Sequence, residues 1–312
     1  MAESVDDENI DVVIPARGRA DLVERALGGV LSQTLAPRNI FVIDDGSPVP
    51  LASCLNSGFL ERCRVIRCDP GQGGGAARNV GIEACSSEWI AFLDSDDWWE
   101  PRHLHSVMRC ASAFGADAIV GAYRAVFGGS GELVYRSGVP SGVVTDFAEY
   151  MFLGGGLCRT STFLVHRDRA RAVKFDNGGH EDWDFMLRLS RGGRIAYDDS
   201  VTVEVDHDAA GRFSRSRDPE ISFRFLAKHH DFLTREQRNG FRLRAARSAG
   251  LHADSQLAWG LIRGFESPLS TASWLHAGVS LVLGLHPWIT AFARSTYLIL
   301  NLKRPGGFGR GR

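Results

Sequence analysis

The sequence predicts an α/β fold, a mostly parallel sheet flanked by helices, with a mainly helical C-terminal region. Apolar runs of strand length alternate with amphipathic stretches from Asp11 to Val126, and strands separated by helices of this kind form βαβ crossovers. Two of those runs end in paired carboxylates, Asp44-Asp45-Gly46 and Asp94-Ser95-Asp96, at the strand ends where such sheets bind ligands. From Ile221 onward the pattern turns helical.

Asp11 to Ile14 reads as a buried strand, and Ala20 to Gln33 as a helix with Leu22, Ala26, Leu27, Val30 and Leu31 on one face. Asn39 to Ile43 and Arg62 to Arg67 are the next strands, Ala76 to Cys85 the second helix, and Glu88 to Leu93 the fourth strand. A helix follows Pro101 and runs to Phe114, and one strand covers Ala118 to Val126. Gly128 to Gly131 is a hairpin turn and Ser161 to Val165 a further strand. Glu181 to Arg191 is a helix with Trp183, Phe185 and Leu187 facing inward.

Composition excludes several classes. With 36 basic against 37 acidic residues in 312, the net charge of −1 lacks the basic footprint of a nucleic-acid partner. The six cysteines form no Cys-x-x-Cys pair, which removes zinc-ribbon and thioredoxin-type sites. Met1 to Asp11 is acidic, without the basic start and apolar stretch of a secretory signal, so a cytoplasmic location with reduced thiols is expected. Residues 267–293 carry no charge and are long enough for a membrane span, but His286-Pro287, Gly278 and Gly284 interrupt them. Two short helices, interfacial or packed on the body, fit better. Lys303, Arg304, Arg310 and Arg312 would suit an anionic leaflet, making the cytoplasmic membrane surface a candidate partner. The expected organisation is a flexible N-terminus over 1–10, a catalytic domain over 11–215 and a helical region over 216–312.

Four constellations carry candidate chemistry. Asp94 and Asp96 lie at the end of a strand that alternates faces, so both carboxylates converge on one side, where a hard cation such as Mg²⁺ or Mn²⁺ relieves their repulsion. A solvated acidic turn before the next helix is the plainer alternative. Asp44-Asp45-Gly46-Ser47 repeats the device at another strand end, suited to a base N–H or a ribose hydroxyl, or to an Asx turn. Gly71-Gln72-Gly73-Gly74-Gly75-Ala76-Ala77-Arg78 opens a helix whose N-terminus favours phosphate. Its Gly71, Gly73 and Ala76 satisfy a dinucleotide pattern, yet that motif belongs directly after the first strand, and at least two strands precede it here. Arg78 either contacts a nucleotide or clamps a neighbouring Asp. Gly178-Gly179-His180-Glu181-Asp182-Trp183-Asp184 brings acids to a helix start, as caps or as a general base. His207 sits among acids, as a structural residue or a ligand, and Arg212 and Arg215 beyond it either reach a diphosphate or are plain surface charge.

Together these blocks resemble the inverting family 2 glycosyltransferases of the GT-A fold, whose nucleotide-binding half is Rossmann-like. The resemblance runs through Val12-Val13-Ile14-Pro15, Leu31-Ser32-Gln33-Thr34, Val42-Ile43-Asp44-Asp45-Gly46-Ser47, Gly75-Ala76-Ala77-Arg78-Asn79, Phe92-Leu93-Asp94-Ser95-Asp96-Asp97 and Glu181-Asp182-Trp183-Asp184. It covers Asp11 to His207. It implies a nucleotide-sugar donor, with a UDP-sugar favoured, and a saccharide or glycolipid acceptor. It further implies donor contacts from Pro15, Arg17, Asp45, Arg78 and Asp94, a Mn²⁺ or Mg²⁺ at Asp96 with His207, and Asp182 as catalytic base. Glu181, Trp183 and Arg212 are the candidate diphosphate or acceptor contacts. Ala16-Arg17-Gly18 departs from the usual continuation after Pro15. A polyprenyl-phosphate glycosyltransferase, an NAD-binding oxidoreductase and a non-catalytic nucleotide-sugar binder are the alternatives.

Overall fold

Strand β1 (Ile10–Ala16) is buried along its whole length because both of its faces are covered. Ile10, Val12 and Ile14 share a core with Val23, Ala26, Leu27 and Val30 of helix α1 (Ala20–Leu31). Val13 points the other way, against Gly81 of helix α3 (Gly74–Ala84), where any Cβ would come within 2.3 Å of it. This alternation at period two is what makes a central strand read as a continuous apolar run. The computed structural model describes residues 9–127, 131–206 and 219–251, together with 260, 261 and 264.

Between α1 and α3 come β2 (Asn39–Asp45), the short α2 (Ser57–Leu60) and β3 (Arg64–Cys68). After α3 follow β4 (Trp89–Phe92), β5 (Trp98–Trp99), α4 (His103–Phe114), β6 (Ala118–Gly121), β7 (Tyr123–Phe127), β8 (Gly131–Tyr135) and β9 (Gly142–Val144). Then come α5 (Phe147–Phe152), β10 (Leu164–His166), α6 (Arg167–Val173), α7 (Glu181–Leu189), β11 (Ile195–Asp198), β12 (Val203–Asp206), α8 (Pro219–Lys228) and α9 (Arg235–Leu251). The large sheet has eight strands in the order β3-β2-β1-β4-β10-β6-β11-β9, and a second sheet of four has the order β5-β12-β7-β8. Strands β3, β2, β1 and β4 are mutually parallel, as are β6 and β11, whereas β10 and β9 run antiparallel to their neighbours.

The structure departs from the sequence reading in four places. Helix α1 buries Val23 in place of Leu22 and Leu31, because Val23, Ala26, Leu27 and Val30 follow the i, i+3, i+4, i+7 stripe more closely. The run from Ala118 to Val126 is two strands in different sheets, broken at Ala122, whose N–H bonds the Asp198 carbonyl. Ser161 and Thr162 form a 3-10 turn before β10 instead of its first residues. Trp183 is only half-buried, while Phe185, Met186, Leu187 and Leu189 carry the inner face of α7. The expected hairpin exists as the β7–β8 pair, Phe127 opposite Gly131; the turn residues 128–130 lie outside the described residues.

The described residues fall into two compact units, the first formed by the chain up to Met151 and from Gly155 through β12, the second by Phe152–Gly154 with α8 and α9. In the second unit Phe225 and Phe241 stack at 4.5 Å, and Phe152 meets Phe241 edge-on at 5.5 Å. Helix α9 starts with a capping box: Gln237 N–H donates to Thr234 Oγ1 at 3.2 Å, and Thr234 N–H donates to Gln237 Oε1 at 2.9 Å. Among the described residues no helix is long and apolar enough to cross a membrane. Segment 267–293 and the basic tail lie outside them.

Candidate active site

The carboxyl end of β2 is organised by its two aspartates. Asp44 is buried and accepts the N–H groups of Ser47 (2.9 Å) and Leu51 (3.0 Å) and Nη1 of Arg67 (2.9 Å). Burial pushes its pKa up, but these donors outweigh burial and hold it below the ordinary value. Asp45 accepts from the N–H of Gln72 at 2.7 Å and of Gly73 at 2.9 Å. The glycine loop lies so close to β2 that a Cβ on Gly71 would sit 2.3 Å from the Asp45 carbonyl oxygen. Two N–H groups of that loop are thus spent on Asp45, an engagement the motif alone did not disclose.

Helix α3 has no side-chain cap of its own at Gly73. Its orphan donors are met from a distant segment: Asn177 Oδ1 accepts the Ala76 N–H at 3.0 Å, and Asn177 Nδ2 donates to the Gln72 carbonyl at 2.9 Å. The arrangement is reciprocal. Asn79 Nδ2 donates to the Phe175 carbonyl at 2.9 Å and its Oδ1 accepts the Phe175 N–H at 2.7 Å. These bonds latch residues 175–177 to α3 and fix where α7 begins. Sequence reasoning missed both asparagines; the Asn177-Gly178-Gly179 turn chemistry was the only signal.

Arg78 stands at the convergence of α3, β4 and α7. Its Nη2 donates to Asp94 Oδ1 at 2.6 Å and its Nη1 to Glu181 Oε2 at 3.1 Å. The guanidinium lies 5.3 Å from the ring centroid of Phe175, which stacks on Phe185 at 4.0 Å. Arg78 is 8% exposed. Burial disfavours its charge, but Asp94 and then Glu181 overcome this and raise its pKa. Of its two anticipated roles, the structure displays the clamp.

Asp182, next to Glu181 at the start of α7, is half-buried, and desolvation raises its pKa against the opposing pull of Arg159, the Trp183 N–H and Arg78. The Trp183 N–H donates to Asp182 Oδ1 at 3.0 Å. Glu181 is likewise pushed up by burial and pulled down by Arg78. Arg159 is kept charged by Tyr123, whose ring centroid lies 5.6 Å away, and by Asp182 and Asp97. No sequence motif marked Arg159. The Trp183 ring stacks on His180 at 4.9 Å, and His180 adopts the left-handed backbone conformation that opens α7.

The acidic segment after β4 does not continue as a strand. The Asp97 N–H closes a turn on the Asp94 carbonyl at 3.0 Å, so Asp94 and Asp96 diverge, Asp94 to Arg78 and Asp96 to Arg19 Nη1 at 3.5 Å. The Ser161 hydroxyl, on the 3-10 turn, donates to Asp97 Oδ2 at 2.5 Å and accepts the Asp94 N–H at 3.1 Å. The Asp206 N–H donates to Asp97 Oδ1 at 3.3 Å, bringing the end of β12 to the same turn. His207 and Arg212 lie outside the described residues. Pro15 is buried near the end of β1, and Arg17 beyond it is exposed. The Gly18 N–H donates to Ser47 Oγ at 2.7 Å, which ties this loop to the one after β2. Among the described residues no group of three or more His, Cys, Asp or Glu side chains is placed to cage a metal. Since Asp94 is held by Arg78, Asp96 alone of the pair offers a hard oxygen donor of the kind that Mg²⁺ or Mn²⁺ takes together with substrate phosphate oxygens.

A mostly parallel sheet with acids at the ends of β2 and β4 and at the start of α7 has the GT-A fold. The chain belongs to glycosyl transferase family 2, whose model matches residues 11–177. It is similar to the succinoglycan biosynthesis protein ExoW of Rhizobium meliloti, 39% identical over 42% of this chain and 41% of that one. It also resembles the amylovoran biosynthesis glycosyltransferase AmsB of Erwinia amylovora, 25% identical over 60% of this chain and 65% of that one. The alignments thus span less than two thirds of these relatives. The fold matches S. aureus TarS 1-349 in complex with UDP-GlcNAc with a TM-score of 0.60, at 15% identity, covering 93% of this chain and 92% of that one.

Proposed function

We propose that the protein transfers a sugar, with inversion, from a nucleoside-diphosphate donor to a hydroxyl of a saccharide or glycolipid acceptor in polysaccharide synthesis. The observation that carries this reading is Arg78 joining Asp94 at 2.6 Å to Glu181 at 3.1 Å, which holds the end of β4 beside the start of α7, where Asp182 sits. Asp182 takes the proton from the acceptor hydroxyl. The acceptor oxygen bonds to the anomeric carbon as the bond to the donor diphosphate breaks on the opposite face. A carboxylate with a raised pKa is a stronger base than an ordinary one, which favours a hydroxyl acceptor over a lipid phosphate that needs none.

Asp45 would accept from the base beside Pro15 and Arg17, and Asp94 from the ribose or sugar. Asp96, with His207, would hold a Mn²⁺ or Mg²⁺ that neutralises charge on the departing diphosphate. Glu181, Trp183 and Arg212 would meet the diphosphate or the acceptor. The names of the polysaccharide relatives support the pathway class, and the UDP and UDP-GlcNAc in the TarS structures support a UDP-sugar.

Thermal unfolding against UDP, GDP, dTDP, CMP and NAD, each with and without Mn²⁺, tests this reading. A stabilisation by one nucleoside diphosphate that requires Mn²⁺ is expected. Stabilisation by NAD alone would overturn it and favour the oxidoreductase reading of the glycine loop.

A further inference from the structure

Arg102, at the N-cap of helix α4, and His105 and Arg109 within it are all exposed and spaced along one face. No acidic residue occurs anywhere from Pro101 to Ala116. Beside this face lie two adjoining cavities that share His105 and Arg109. The first, of about 260 Å³, is lined by Arg102, His105 and Arg109 with Ser106, Ser200 and Thr202, and by no carboxylate. The second, of about 390 Å³, extends over Leu35, Met108 and Ala113. Among the described residues no carboxylate pairs with Arg102, His105 or Arg109. The nearby Asp198 is turned inward, accepting from the Ser106 hydroxyl at 2.7 Å and the Ser200 N–H at 3.1 Å.

A polar recess without acids attracts an anion, and an apolar trough next to it attracts hydrocarbon. We infer that this face binds an anionic phospholipid, with the headgroup phosphate between Arg102 and Arg109 and the start of an acyl chain along Leu35, Met108 and Ala113. Free phosphate would satisfy only the first cavity, and a neutral alkyl chain only the second. Sharing His105 and Arg109 makes the two cavities one amphiphilic site. None of its residues belongs to the sugar-transfer machinery, so the inference stands apart from the proposed reaction. It also stands apart from the basic tail.

The test is co-sedimentation of the full chain with vesicles of phosphatidylglycerol in phosphatidylcholine, against phosphatidylcholine alone. Arg102→Gln with Arg109→Gln is expected to weaken binding to the anionic vesicles about tenfold or more, with the UDP response of the variant unchanged. Ala113→Asp, at an exposed position, is expected to weaken vesicle binding as well. Unchanged vesicle binding in both variants would overturn the proposal. So would full competition by millimolar inorganic phosphate, which would mark a free-phosphate site. Should the double variant misfold, photo-crosslinkable phosphatidylglycerol with the unmodified chain decides. Label on Leu35 or α4 supports the site, and label confined to residues 267–312 refutes it.

Discussion

Arg78 Nη2 lies 2.6 Å from Asp94 Oδ1, in an ion pair whose arginine side chain is 10% exposed and whose aspartate is 34% exposed. The same guanidinium carries Glu181 on its other nitrogen, so one buried cation holds two carboxylates with a third, Asp182, close enough to feel its charge. Removing it leaves those carboxylates facing one another. Arg78→Ala is expected to cost about 3 kcal/mol in urea unfolding. Arg78→Lys keeps the charge but not the planar fork, and is expected to recover part of the stability while donor affinity falls.

Asp182→Asn keeps shape and removes the carboxylate proposed as the base. Donor binding should persist while kcat falls by about 10²- to 10⁴-fold, measured by single-turnover product formation. Because burial raises the Asp182 pKa, the acidic limb of kcat/KM should lie above the ordinary carboxylate range. Arg159 opposes that rise, so Arg159→Gln should move the limb to higher pH, and a pH–rate profile reads both effects.

Asn177→Ala removes the cap on α3 and the bond to the Gln72 carbonyl. Each lost bond is worth about 1 kcal/mol, so a stability loss of about 2 kcal/mol is expected. The turnover number should fall more than the donor dissociation constant rises, since the latch positions α7. Isothermal titration with the donor nucleotide and steady-state kinetics separate the two.

His103 is buried against Trp99, with its Nδ1 2.8 Å from Thr202 Oγ1 and its Nε2 without a partner. Burial lowers its pKa from 6.5 to about 3, so the folded state keeps it neutral where the unfolded state binds a proton. This contribution to stability is complete above pH 6.5 and is lost progressively as the pH falls towards 3. By pH 5 the loss amounts to about 2 kcal/mol, and His103→Leu should flatten the slope of urea stability against pH over that window.

The parallel half of the sheet was legible because β1, β2 and β4 are apolar on both faces and its helices are long. The acids at 45, 94 and 182 were legible because they stand in local motifs. What escaped depends on contacts between distant segments. β10 enters the sheet antiparallel after a stretch with no periodicity, and the Ala118 to Val126 run reads as one strand because the break at Ala122 is made by a carbonyl far along the chain. The convergence of Asp94 and Asp96 failed as an argument from strand alternation, since a turn stabilised by Ser161 replaces the strand. Arg159 had no motif to announce it, and Asn79 stood in a motif block that assigned it no role; their roles exist only once their partners arrive.

Asn79 and Asn177 each grip main-chain atoms across the joint, which makes the coupling nearly blind to the side chains that follow it. The family match also ends at residue 177. Whatever polypeptide follows this point is delivered to the same starting position beside Arg78. A chimera spliced after Asn177, with downstream sequence from a relative, should therefore keep its donor half in register. Lineages could then exchange one half of such an enzyme as an interchangeable part.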